Sequence, residues 1–210
     1  MWYNYDPAGF CGQAAGGKQM FFNNAHCLVT DCGAVLKEDA DRREYLRLLE
    51  KAKQDFGLKM PAYALLPDRA LVYFVTPGAD LHSVMGALAK NKTLPGYAGG
   101  NCKYKLIQPE KYAAALTRFI HLEPVKEGLA AKPSDYAWSS AAQYLGLNEG
   151  PADKELALGT LSTDPAEALA LYRKFMEEPV PGKLWRPFDK NRDAVLGDRE
   201  FTALHSPHGG

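Results

Sequence analysis

The chain has no excess of either charge: over 210 residues, Lys+Arg and Asp+Glu are both 25. A polyanion such as DNA therefore finds no long-range attraction from the molecule as a whole. No apolar run approaches the roughly 18 residues that span a bilayer, and the opening MWYNYDPAGF has neither a basic segment nor an apolar one, so no secretory leader is expected. These absences predict a cytoplasmic protein with no membrane partner. The four cysteines, Cys11, Cys27, Cys32 and Cys102, form no regular framework. A chain of this size buries a core without cross-links, so reduced thiols are expected. There is no repeat, and the only biased tract is the opening one with Gly9, Gly12, Gly16 and Gly17, which predicts a flexible N-terminal arm over residues 1–18.

What is present is an ordinary globular composition, 46% hydrophobic and 24% charged. The zero net charge hides an uneven distribution. Residues 81–145 carry 8 basic and 4 acidic side chains, whereas residues 146–210 carry 8 and 11. Any phosphate contact should therefore concentrate in the middle of the chain.

Hydrophobic spacing predicts a first strand over Gln19 to Thr30 and an amphipathic helix from Asp39 to Phe56, with Tyr45, Leu48, Leu49 and Ala52 on its stripe and Gly57 at its C-cap. Met60 to Leu66 and Arg69 to Val75, joined by Pro67–Asp68, predict an antiparallel hairpin. A second helix is expected to carry Leu81, Val84, Met85 and Leu88, followed by a loop with Gly96, Gly99 and Gly100, a strand at Cys102 to Ile107, and a third helix with Tyr112, Ala115, Leu116, Phe119 and Ile120. The order β-α-β-β-α-β-α predicts an α+β fold of ferredoxin-like type, an antiparallel sheet with helices on one face. The domain is expected to occupy residues 19–145, with a helical C-terminal extension over 146–210 that contains the start signal Asp164–Pro165–Ala166–Glu167.

Three stretches resemble the REP-associated tyrosine transposases, a branch of the HUH single-tyrosine transposases. The first is Asp41–Arg42–Arg43 with the helix to Phe56–Gly57–Leu58 and the strand Ala62 to Asp68. The second is Arg118–Phe119–Ile120–His121–Leu122–Glu123–Pro124–Val125–Lys126, running into Asp135–Tyr136–Ala137–Trp138–Ser139–Ser140. The third is Val195–Leu196–Gly197–Asp198–Arg199–Glu200–Phe201. The resemblance implies an HUH fold and a surface for hairpin DNA. It also implies a chemistry: two histidines on one strand face hold a divalent metal at the scissile phosphate, and a tyrosine on the next helix attacks it.

Both elements are missing here. The His-x-His motif is replaced by Arg69–Ala70–Leu71, and Leu81 to Gly96 contains no Tyr. Arg69 stays protonated and Leu71 has no donor atom, so these positions cannot hold a metal. No cofactor is expected, and transposase or nuclease activity is expected to be absent. Strand alternation sets Arg69, Leu71 and Tyr73 side by side in the former metal site. Arg69 there either holds an anion or faces solvent.

Lys90, Lys92, Lys103, Lys105 and Lys111, interleaved with Tyr97 and Tyr104, are the candidate DNA-binding set, extended by Arg118 and Lys126. The alternative is a solvated basic face. His26, Cys27 and Cys32 are either metal ligands or strand residues packed in the core. His121 is expected on a helix surface. Trp138–Ser139–Ser140 is expected to anchor and cap the next helix. Glu123 stands where the family usually has Asn. The expected function is that of a catalytically defective, transposase-like binder of hairpin or single-stranded DNA. The alternative is a repurposed fold serving as a protein-binding subunit or a small enzyme.

Overall fold

A computed structural model describes residues 25–32, 34–76, 102–178, 186–188 and 194–205. The N-terminal arm and the expected second helix, Leu81 to Leu88, lie outside the described residues.

The fold is α+β. The first strand, β1, spans Ala25–Asp31, and the expected start at Gln19 falls outside the described residues. Helix α1 follows at Asp39–Phe56. Its start is set by a reciprocal cap, in which the Glu38 amide donates to Asp41 Oδ2 at 3.0 Å. Its end is set by Gly57 at φ 63°, a left-handed conformation that side chains with a Cβ resist.

The hairpin forms from β2 (Lys59–Leu65) and β3 (Ala70–Thr76), each end within one residue of the sequence expectation. Its turn closes through the Leu66 amide, which donates to the Arg69 carbonyl at 2.8 Å. Strand β4 spans Cys102–Ile107 and leads into α2, Pro109–Lys126. Then come three short or medium helices, α3 (Ala141–Tyr144), α4 (Lys154–Leu158) and α5 (Pro165–Glu177), a two-residue strand β5 (Val195–Leu196), and α6 (Arg199–His205).

The sheet order is β2-β3-β1-β4-β5. Pairing is antiparallel except between β4 and β5, which run parallel. The sheet is therefore mixed, mostly antiparallel.

The described helices take both faces of the sheet rather than one. Cys27, Val29, Val72 and Phe74 pack with Tyr45, Leu48, Leu49 and Ala52 of α1. Leu28, Leu71, Tyr73 and Val75 pack on the other side with Ala113, Leu116, Phe119 and Ile120 of α2. The physical reason lies in β3, where every residue from Ala70 to Thr76 is buried, so both faces need a cover. The extension is not a separate appendage either. It supplies β5, and its Phe188 and Leu196 lie in the α2-side core.

The outer edge of β2 is closed by the Tyr136–Ser140 segment. The Leu65 amide donates to the Trp138 carbonyl at 2.9 Å and the Ser140 amide to the Tyr63 carbonyl at 3.0 Å, while Ser139 bridges Ala64 in antiparallel fashion. An edge that would otherwise present unpaired amides is thereby satisfied.

Candidate functional site

The corner where β3 begins faces the C-terminal end of α2. Glu123, in the last turn of α2, and Glu127, its C-cap residue, lie four residues apart at that end. The Arg69 guanidinium reaches both, at 2.9 Å to Glu123 and at close range to Glu127, and also pairs with Asp68 at 2.9 Å. Glu123, nearly buried, accepts from Lys126 at 2.6 Å as well. Burial alone would lower the Arg69 pKa, but the bond to Glu127 and the charge of Asp68 more than offset it and hold the cation. Three carboxylates thus surround the guanidinium, so Arg69 does not stand free in solvent.

Beside it, Leu71 and Tyr73 are core residues rather than walls of an open site. The Tyr73 hydroxyl lies 2.6 Å from His26 Nδ1. Burial raises the Tyr73 pKa and lowers that of His26, the latter opposed by Glu110.

His26 and Cys27 project to opposite faces of β1. His26 reaches Tyr73 on the α2 side, while Cys27 packs against α1, where burial pushes its thiol up to about 12. No ion can be held by both, and Cys32 is half-buried with a free thiol. Among the described residues, no group of three or more His, Cys, Asp or Glu is arranged to hold a metal ion.

The candidate DNA-binding residues divide. Lys105 is fully buried, and its ammonium donates to the Pro187 carbonyl. Arg118 is 2% exposed, its guanidinium lies 4.4 Å from the Phe175 ring centroid, and it donates to the Glu178 carbonyl. These two are removed from the surface set as the structure stands.

Tyr104 packs with the α1-side core, and alternation turns its neighbours Lys103 and Lys105 to the opposite face. What interleaves in sequence does not interleave in space. Lys103 is half-buried. Lys111 and Lys126 remain about half exposed, paired with Asp198 at 3.1 Å and Glu123 at 2.6 Å. The Lys111–Asp198 pair is exposed on both sides and therefore weak, whereas Lys126 reaches a buried carboxylate. Lys90, Lys92 and Tyr97 lie outside the described residues.

The sequence reading missed a buried polar chain. His121, expected at the surface, has no exposure at all. Its Nε2 is 2.7 Å from Ser140 Oγ and its Nδ1 is 2.7 Å from the Tyr172 hydroxyl. Burial brings its pKa down to about 3. A Ser–His contact at this distance resembles an activated nucleophile. Here, however, Ser140 is itself fully buried and its Oγ also accepts the Tyr63 amide at 3.0 Å, so the contact joins β2, α2 and α5 rather than meeting a substrate. Ser140 correspondingly does not cap α3 with its side chain.

One solved structure shares the fold. It is a REP-associated tyrosine transposase bound to a REP hairpin, with a TM-score of 0.50 and 16% sequence identity, covering 63% of this chain and 87% of that one. At that identity the likeness shows the fold alone. No protein-family model and no curated protein matches the chain. Among the described residues, no helix is long and apolar enough to cross a membrane.

Proposed function

We propose that the chain is a transposase-like protein that has lost DNA cutting and retained binding of hairpin or single-stranded DNA. The observation that carries the first half is the Arg69 corner. A guanidinium held by Asp68, Glu123 and Glu127 occupies the position where the resemblance requires a metal ligand, and the second ligand position is the buried Leu71. A scissile phosphate brought to this corner meets three carboxylates against two cations, which repels it.

Two features support retained binding. The fold is similar to that of a protein whose structure holds a REP hairpin. In addition, Lys111 and Lys126 are partly exposed on α2, the helix that carries the Arg118–Lys126 motif. Binding through such contacts releases counterions, so affinity falls steeply with salt. The test is a titration of a labelled hairpin oligonucleotide across a salt series. Lys111→Gln and Lys126→Gln should each weaken binding and flatten the salt slope by about one. No binding at low salt would end this reading.

The burial of Lys105 and Arg118 together with the zero net charge favours a second reading, a protein-binding subunit on the same fold. A protein partner that copurifies with a chain inert toward DNA would establish it.

A further inference from the structure

Helix α5 packs beside α4 and meets α2 through contacts of Tyr172, Phe175 and the residue that follows the helix. The hydroxyl of Tyr172 reaches His121 Nδ1, the ring of Phe175 covers the Arg118 guanidinium, and the carbonyl of Glu178, just past the helix, accepts from Arg118. Of the thirteen residues of α5, only Ala168 and Tyr172 are buried. Tyr172 belongs to a cluster with Tyr144 and Ala157 that is distinct from the two cores on the sheet.

Arg118 is poorly served in this arrangement. It is 2% exposed, yet its Nε has no hydrogen-bond partner. Its described partners are an aromatic face and a backbone carbonyl. A buried cation left partly unsatisfied is costly to keep, so this contact is one that the molecule can release.

Arg118 also stands in a row. Lys111 precedes it by seven residues and Lys126 follows by eight, about two turns each way, which places the three within roughly a quarter turn of one face of α2. The outer two are half exposed. The middle one is under α5.

We propose that α5 is a displaceable cover over an anion-binding strip of α2, and that Arg118 is the cation it withholds. This rests on the DNA reading above for the identity of the anion. Lifting α5 leaves both sheet cores intact and exposes Arg118, His121 and Tyr144. A cation beside aromatic rings is the surface that phosphates and unpaired bases recognise. Docked α5 then limits affinity, and its release raises it.

The experiment uses the full chain and two loosening variants, Phe175→Ala and Tyr172→Phe, each alone and combined with Arg118→Gln. Hydrogen exchange reads the cover directly: amides of 168–177 should exchange faster than those of β3 in the unaltered chain, and faster still in both variants. Affinity is read against a labelled hairpin oligonucleotide and against heparin. Both variants should bind at least one of the two roughly fivefold tighter, with the salt slope steeper by about one, and Arg118→Gln should remove the gain.

Protection of α5 equal to that of β3 overturns the proposal. So does an opened α5 with unchanged or weakened affinity for both probes, or a gain that survives Arg118→Gln. A gain toward heparin with no hairpin binding by any form supports the cover and refutes the DNA reading, so the two failures are distinguishable.

Discussion

At the scale of single residues, the Arg69 guanidinium is the centre of an internal ion cluster with Asp68, Glu123 and Glu127. Glu123 is nearly buried and depends on Arg69 and Lys126 for its charge partners. Arg69→Ala should therefore cost about 3 kcal/mol, the usual penalty for stranding one member of a buried pair, read by chemical denaturation. Lys105 makes the opposite point about function. Lysine and arginine are usually solvated, so the alternation of basic and aromatic residues over 103–105 suggested a nucleic-acid surface. The burial of Lys105 and Arg118 is set by partners 82 and 60 residues away in sequence, which no local pattern encodes. Lys105→Gln should accordingly lower thermal stability without changing the salt dependence of DNA binding, whereas a flattened slope would restore Lys105 to the interface.

His121 carries a pH dependence at the same scale. Unfolded, it takes up a proton near 6.5; folded, burial delays protonation to about 3. Between these values the unfolded chain binds more protons, so its contribution is full above the unfolded value and is lost as pH falls. Each unit of acidification in that window should favour unfolding about tenfold. Urea denaturation at successive pH values checks this, and His121→Gln should remove most of the slope between about pH 6 and about pH 4.

At the scale of elements, the motifs behind the family resemblance turn out to be joints. Tyr136–Ser140 closes the free edge of β2, with the Tyr136 hydroxyl donating to the Leu65 carbonyl at 2.7 Å and Ser140 Oγ accepting the Tyr63 amide. The Leu196–Phe201 segment locks α6 to the start of α2. Asp198 Oδ1 accepts the Phe201 amide at 2.9 Å and Oδ2 accepts from Gln108 at 3.0 Å. A Cβ on Gly197 would come within 2.3 Å of the Phe201 ring. Gly197→Ala should thus destabilise by about 1–3 kcal/mol through overpacking, with loss of protection in α6. A neutral result by thermal melting would mean that the ring does not sit there.

Elements with local periodicity were legible in the sequence. The stripe of α1 and its Gly57 stop, the β2–β3 turn at Pro67–Asp68, and the Asp164–Pro165 start of α5, where Asp164 accepts the Glu167 amide at 2.7 Å, need only neighbouring residues. The pairing of β5 beside β4, the cover of α2 on the second face of the sheet, and the Ser140–His121–Tyr172 chain depend on contacts distant in sequence. Of the candidate site, the absence of metal-ligating side chains at positions 69 and 71 was legible because it needs only residue identity. The fate of Arg69 was not, because the Glu123–Glu127 end of α2 meets it only in the fold.

At the scale of the whole molecule, a chain of zero net charge carries a fold similar to that of a hairpin-bound transposase, with Arg69 enclosed by carboxylates and Arg118 buried. On the proposed reading, this assembly binds hairpin DNA without cutting it. One incubation of the full chain with a labelled hairpin oligonucleotide, with and without a divalent metal, and read by both native and denaturing electrophoresis, tests this most directly. The predicted result is a native complex that weakens steeply with salt, is indifferent to the metal and dissolves completely on denaturation. A metal-dependent adduct that survives denaturation, or no native complex at low salt, would contradict it.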